Sequence, residues 1–187
     1  GIAATAEDTT GDLSGQIHKI PWSEVRPMLS TGTRIRVKHP ETGIVWTVAY
    51  GTGSAHGDVE AISVADQAKA DSIWGGKSWE RKGVIAELPD GRLTAASLHN
   101  MPHAGRDDTR YLANTCDAAD PEMRGRSDGY QCGRNYDYQN AAQGRSNGID
   151  GHMCLHFYGS TRHNDGGTDV KHQSQIEKVA KMMTTSY

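Results

Sequence analysis

Two pairs of strand-like segments, each joined by a short turn, dominate the pattern of this sequence. The first pair spans residues 33–50 and reverses at residues 40–43, where Pro comes first and Gly last. The second pair spans residues 82–98 and reverses at the Pro-Asp-Gly of residues 89–91. Proline presets the backbone of an early turn position and glycine suits a late one, so both pairs are predicted to be β-hairpins. Two such hairpins constrain the chain to a largely antiparallel sheet.

Capping residues and apolar periodicity predict the remaining elements. Ser63 caps a helix that continues to Trp74 and stops at the glycines that follow. A brief helix is predicted near residues 21–29, and residues 152–158 have the composition of a strand. A terminal helix is predicted over residues 168–183. Its buried face is expected to carry Val170, Ile176, Val179 and Ala180.

The 187 residues of the chain correspond to one globular domain. Residues 1–16 are small, polar and acidic, which predicts a disordered leader or linker. Residues 17–187 are predicted to form a single domain of the α+β class, with a mid-chain helix and a C-terminal helix beside the sheet. Residues 100–150 lack aliphatic periodicity and are rich in Gly, Asp, Asn and Arg. They are predicted to form one long irregular loop that acts as a substrate lid.

The charge and apolar patterns exclude two classes of partner. The formal net charge is −3, so no broad basic face is expected to bind the phosphates of a nucleic acid. The apolar runs are a few residues long, far short of the roughly 20 residues that cross a bilayer, so no membrane partner is expected. We expect a monomer.

The three cysteines, Cys116, Cys132 and Cys154, allow at most one disulfide and leave at least one free thiol. Cys116 and Cys132 lie in a polar, Gly-rich stretch. A disulfide between them would stabilise that loop by about 3 kcal/mol and would place the protein outside the reducing cytosol. Cys154 is then the free thiol.

Nine histidines suggest chemistry, because His is the commonest metal ligand and the usual acid–base group near neutrality. In the predicted strand at 152–158, alternate side chains share a face, so His152, Cys154 and His156 are expected to point the same way. Met153 and Leu155 are expected to pack on the opposite face.

Two further clusters border predicted strands. His56, Asp58 and Glu60 share a face if their segment is extended, and they would supply one nitrogen and two carboxylates. Residues 99–107 follow a strand and contain His103. If the strands pair into one sheet, the three clusters converge on a single cleft.

His103 and Asp107, together with the later Gly-His and Leu-His-Phe segments, resemble the H-x-G-x-D and H-x-H-F patterns of lysostaphin-type zinc peptidases of bacterial cell walls. In that family the first His, the Asp and the last His hold zinc, and the remaining His assists catalysis. The resemblance implies zinc ligation by His103 and His156. This chain differs in that Cys154 stands where the family has the first His of H-x-H.

The segment His152-Met-Cys154-Leu-His156 also resembles the H-x-C-aliphatic spacing of L,D-transpeptidases, which act on the same cell walls. There the cysteine is the nucleophile. His103 followed by Ala stands in place of the His-Gly of that family, and His156 in place of its Arg. The Ser and Gly before the family cysteine are absent.

Three functions follow from these residues. The first is a secreted or wall-associated zinc peptidase (Zn²⁺ cofactor) that cuts amide bonds in peptidoglycan stem peptides. Three of the four candidate ligands would bind zinc, with His152 or Glu60 as the acid–base group. The four candidate ligands are His56, Asp58, His103 and His156.

The second function is a thiol-dependent, L,D-transpeptidase-like enzyme with Cys154 as the nucleophile and a neighbouring His as the base. The third is a non-catalytic wall-binding module that uses its His and Trp side chains as a recognition groove. Four tryptophans are available for stacking on sugars: Trp22, Trp46, Trp74 and Trp79.

Overall fold

The computed structural model describes residues 12–103, 152–162 and 165–182. The predicted α+β class is confirmed, because one mostly antiparallel sheet closes into a barrel that carries a mid-chain helix and a C-terminal helix. In chain order the elements are β1 (Ile17–His18), α1 (Trp22–Val25), a 3₁₀ turn (Arg26–Met28), β2 (Arg34–Lys38), β3 (Val45–Thr52), β4 (Gly57–Ala61), α2 (Val64–Trp74), β5 (Ser78–Glu87), β6 (Leu93–Asn100), β7 (Met153–His156) and α3 (Val170–Met182).

Both predicted hairpins are present, β2–β3 and β5–β6, and both are antiparallel. Their turns use the glycines as expected. Gly43 has φ 75° and donates its N–H to the His39 carbonyl at 2.9 Å, while Gly91 has φ 87° and donates to the Leu88 carbonyl at 2.8 Å. Positive φ is cheap for Gly alone, so these residues set where each hairpin reverses.

The barrel closes because β7 pairs with two strands from distant parts of the chain. β7 is antiparallel to β4 on one side and to β6 on the other. The strand order within the described residues is β1-β6-β5-β2-β3-β4-β7, with the β6–β7 pairing completing the ring. β1 adds to β6 in parallel.

Two apolar cores lie on the two faces of the sheet. The barrel interior contains Trp46, Leu155 and Phe157, all nearly inaccessible to solvent. The outer face carries a smaller cluster, in which Ile176 and Val179 of α3 pack with strand residues. Helix α3 therefore covers one outer side of the barrel.

Helix α2 follows its predicted caps. The Ser63 hydroxyl accepts a hydrogen bond from the Asp66 N–H at 3.0 Å, and Gly75 ends the helix with φ 74°. Trp74 at its last position packs edge-on against Trp46 of the interior. The helix is thereby attached to the barrel core.

Two predicted details of the core differ from the structure. Val170 was expected on the buried face of the terminal helix, but it is 73% exposed because it opens the helix ahead of the first turn that meets the sheet. Leu13 belongs to the segment predicted to be a leader, yet its side chain is buried in the outer cluster with Leu93. The last residues of that segment are therefore part of the folded domain.

Several predictions fall on residues outside the described ranges. The Cys116–Cys132 disulfide, Asp107 and nearly all of the predicted lid at 100–150 belong to this group. None of the described helices is both long enough and apolar enough to cross a membrane.

We expect Gly83→Ala to weaken the packing of α3 against β5 and so to destabilise the protein. A β-carbon at position 83 would meet the Val179 side chain and would lie 3.0 Å from the Gln175 carbonyl oxygen. Overpacking of this kind costs about 1–3 kcal/mol of unfolding free energy, which urea denaturation would measure. Val179→Ala provides the control. It should lower the unfolding free energy less in the Gly83→Ala background than in the wild type, because it removes the side chain that the new β-carbon meets. Additive costs would contradict this close contact.

Candidate functional site

Strand β7 places Cys154 on the outer face of the barrel, beside α3. Met153 and Leu155 point into the interior, so the alternation of a strand sends Cys154 and His156 outward. Asp58 of β4 is the register partner of Cys154, and Ser97 of β6 is that of His156. Neighbouring strands thus bring their outward side chains to the thiol.

The side chains of five histidines surround the Cys154 thiol. One directly precedes β4, one lies in β6, two form the bridge between the residues that follow β6 and those that precede β7, and one lies in β7. Each is electrostatically coupled to the Cys154 side chain, and the five are His56, His99, His103, His152 and His156.

Asp58 joins two of these imidazoles. Its Oδ1 lies 3.3 Å from His56 Nε2 and 3.3 Å from His152 Nε2. Burial opposes ionisation of Asp58, but the charge of His152 and hydrogen bonds from both rings lower its pKa to about 2. Burial likewise opposes protonation of the rings, yet Cys154 and Asp58 raise the pKa of His56 to about 11, and Asp58 raises that of His152 to about 9.

The pKa of Cys154 lies well below its usual range. Burial alone would raise it, but the neighbouring His103 and His56 favour the anion more strongly. Protonated His56 and His152 balance the two anions, Asp58 and Cys154. A buried thiolate is stable here because its counter-charges are built into adjacent strands.

His103 lies within hydrogen-bond reach of the thiol, and it is half-buried whereas the other four imidazoles are buried. Its Nε2 lies 3.3 Å from Cys154 Sγ, and its Nδ1 lies 3.0 Å from the Met101 carbonyl oxygen. The carbonyl accepts a hydrogen bond from Nδ1–H, which leaves Nε2 to exchange a proton with sulfur. Paired backbone hydrogen bonds between His103 and His152, at 3.0 and 2.8 Å, hold this geometry.

His99 is buried and neutral, since burial lowers its pKa to about 4. The Met101 N–H lies 3.1 Å from Nδ1, and the Cys154 N–H lies 3.2 Å from Nε2. Both ring nitrogens of His99 therefore face backbone N–H groups, one of them that of Cys154 itself.

Three imidazoles form a stack along the other side of the thiol. The ring centroids of His56 and His156 are 4.4 Å apart, and those of His156 and His172 are 3.8 Å apart. His172 belongs to α3, and its Nδ1 lies 2.7 Å from the Ser97 hydroxyl oxygen. Burial lowers the pKa of both His156 and His172, so these two rings are neutral.

The three predicted clusters meet on this face. The structure brings together six of the seven predicted site residues around the thiol: His56, Asp58, His103, His152, Cys154 and His156. Glu60, the seventh, is fully buried two residues beyond Asp58 on the same face of β4.

Sequence reasoning left His99 and His172 out of the predicted site residues. His99 could have been found, because it alternates with Ser97 on one face of a recognisable strand. His172 lies on a terminal helix, and nothing in its local sequence indicates which strand that helix covers.

Two groups of side chains are arranged so that they could hold a metal ion. One is His99, His103 and Cys154, and the other is His56, Asp58 and Cys154, with the ligand atoms of each group within 4.8 Å of one another. Both groups include Cys154. The predicted zinc ligands are divided between them, with His103 in one group, His56 and Asp58 in the other, and His156 in neither.

The chain matches no protein-family model, no curated protein and no solved structure.

We expect Asp58→Asn to destabilise the protein by about 3 kcal/mol at pH 7, since it leaves two buried imidazoles without their shared carboxylate. Urea denaturation would measure the loss. Asp90→Asn, at an exposed hairpin turn, serves as the matched control and should change stability little. Equal effects of the two variants would contradict the bridging role of Asp58.

The same cluster should make stability fall as pH rises above about 6.5, where an unfolded His loses its proton. The raised pKa values of His56 and His152 keep both rings protonated in the folded state, so their contribution is lost as pH rises through 9 and 11. The lowered pKa of Cys154 acts in the opposite sense, but two rings outweigh one thiol. Denaturation midpoints between pH 6.5 and 9 should decline, and less steeply in Asp58→Asn.

Proposed function

We propose that the protein is a thiol-dependent enzyme that acts on amide bonds of bacterial cell-wall peptides, with Cys154 as the nucleophile and His103 as the general acid–base. The observation that carries this proposal is the convergence of five imidazoles and one carboxylate on a single thiol. A lowered thiol pKa with a base in hydrogen-bond reach is the requirement for a nucleophilic cysteine.

The reaction follows from the positions of these groups. The thiolate attacks the amide carbonyl carbon, and the carbon–nitrogen bond breaks as the leaving amine takes a proton from Nε2 of the imidazolium form of His103. A thioester on Cys154 results. A second amine attacks the thioester in transpeptidation, or water attacks it in hydrolysis, and His103 takes the proton of the incoming nucleophile. The carbonyl thus ends as a new amide or as a carboxylic acid, and the thiolate is regenerated.

Each surrounding group has a part in keeping the thiol ready. Asp58 holds His56 and His152 as cations, which stabilise the resting thiolate. The Met101 carbonyl fixes the tautomer of His103. His99 is neutral and accepts a hydrogen bond from the Cys154 backbone N–H, which helps to hold the strand that carries the thiol.

The substrate class rests on resemblance. Both families that the motifs resemble act on bacterial cell walls, and the H-x-C-aliphatic segment of this chain now coincides with the strand that carries the activated thiol. Stem peptides of peptidoglycan and a secreted or wall-associated location are therefore part of the proposal.

A zinc peptidase is the second candidate, because the two three-residue groups fit a metal by ligand type. His56 Nδ1 lies 2.8 Å from the Thr161 carbonyl oxygen and His103 Nδ1 lies 3.0 Å from that of Met101, the outer hydrogen bonds typical of metal-binding histidines. Zinc, when bound, would polarise the amide carbonyl. His152 or Glu60 would then move the proton.

The thiol mechanism takes precedence over the zinc mechanism for a geometric reason. Either three-residue metal group uses Cys154, so a metal bound there occupies the group that is best prepared as a nucleophile. Asp58, moreover, is already shared by two imidazoles.

Turnover of purified wall peptides should separate the candidates. Cys154→Ser should abolish product formation, and His103→Gln should reduce kcat by about 10²–10⁴-fold, whereas exhaustive chelation should leave the wild-type rate unchanged. His18→Gln, in the short edge strand β1, is the matched histidine control.

Three other outcomes are informative. If the protein contains stoichiometric zinc, and if activity is lost on chelation and restored by zinc, the zinc peptidase mechanism replaces the thiol mechanism. Saturable binding without turnover would leave a wall-binding module. Full activity in Cys154→Ser would refute the role of Cys154 as the nucleophile.

Alkylation by iodoacetamide provides a test that needs no substrate. An ordinary thiol with a pKa near 8.5 loses more than about a hundredfold in rate between pH 9 and pH 6, because its thiolate fraction falls. Cys154 should change by less than about threefold over this range. Mass spectrometry of the Cys154 peptide would follow the reaction, with glutathione as the reference thiol. A tenfold fall per pH unit below pH 8 would show that the resting thiol is protonated.

A further inference from the structure

A cavity of about 390 Å³ adjoins the catalytic face, between β5 and the first turns of α3. Its lining consists of Trp79, Glu80, Arg81, Lys171, Ser174 and Gln175. Trp79 is the wall that it shares with the candidate site, because the Trp79 ring lies 4.9 Å from the rings of both His99 and His103. One aromatic ring and one imidazole therefore separate the cavity from the Cys154 thiol.

The charges around the cavity leave one cation uncompensated. Arg81 Nη2 is paired with Asp169 Oδ2 at 2.9 Å, and the Glu80 carboxylate lies 3.6 Å from Lys82 Nζ. Lys171 is exposed and forms no ion pair with any residue in the described ranges. The charge of Lys171 therefore favours an anionic ligand in this cavity.

The remaining lining residues suit the end of a peptide. Trp79 is 43% exposed and offers an apolar face, while Ser174 and Gln175 offer polar groups from α3. The Arg81 guanidinium is also held by the Trp79 carbonyl at 2.8 Å, so this wall is fixed before any ligand arrives. Each extended residue spans about 3.5 Å, so a few residues of peptide reach from Cys154 to the cavity.

We propose that this cavity is the subsite for the free carboxylate of the peptide substrate, with Lys171 as the cation that recognises it and Trp79 as the wall that directs the chain toward Cys154. This inference rests on the proposed thiol function, because a peptide substrate is assumed. The binding experiment that tests it does not require turnover. Lys171 acts in specificity, since it lies away from the reacting atoms.

Binding of a matched pair of small probes tests the subsite without turnover. The probes are N-acetyl-alanyl-alanine and its C-terminal amide, which differ in charge at one end. Trp79 is the exposed tryptophan, whereas Trp22, Trp46 and Trp74 are buried. Protection of tryptophan fluorescence from acrylamide, a neutral quencher, therefore reports occupancy beside Trp79, and Trp79→Leu should remove the signal.

The acid should bind at least about fivefold more tightly than the amide, and Lys171→Gln should abolish that preference. Lys178→Gln, on the same helix but paired with Glu41, is the control and should preserve it. Equal binding of acid and amide, or an unchanged preference in Lys171→Gln, would overturn the subsite.

The two proposals fail separately. Selective binding of the acid without any Cys154-dependent turnover would retain the subsite and refute the reaction. Cys154-dependent turnover of acid and amide peptides at equal kcat/KM, in wild type and in Lys171→Gln, would retain the reaction and refute the subsite.

Discussion

The pairing of β7 between β4 and β6 is the constraint on which the site depends. It closes the barrel, and its register sets Asp58 opposite Cys154 and Ser97 opposite His156. A shift of one residue would turn every reactive side chain of β7 into the barrel interior. The apolar residues of β7 prevent this shift, because Met153 and Leu155 belong to the interior core. The packing of the interior face of β7 therefore determines which of its side chains lie on the outer face.

Buried charge is the second constraint. An isolated thiolate or carboxylate would be expensive in a site as enclosed as this one. Here the anions Asp58 and Cys154 are compensated by His56 and His152, which directly precede the strands β4 and β7 that carry the anions. The neutral rings of His99, His156 and His172 then surround the charges without adding to them. This division of protonation among chemically identical side chains arises from burial and neighbours alone.

The two proposed mechanisms, thiol and zinc, draw on the same side chains. Hydrogen bonds from the outer nitrogens of His56 and His103 to backbone carbonyls orient Nε2 inward, and that orientation serves a base as well as a ligand. Cys154 is what separates the alternatives, because either metal group would use it. The cavity beside Trp79, with Lys171 in its lining, is the proposed subsite for the carboxylate of a peptide.

Local sequence patterns determined the hairpins, the caps of α2, the alternation of His152, Cys154 and His156, and the shared face of His56 and Asp58 once β4 is extended. These features depend on neighbouring residues, which is why turn chemistry and periodicity predict them. Tertiary structure alone decided that β7 joins β4 to β6, that His103 reaches a thiol 51 residues away, and that α3 brings His172 onto His156. Exposure of Val170 and burial of Leu13 were decided in the same way. Such contacts depend on how distant segments pack, and no local pattern contains that information.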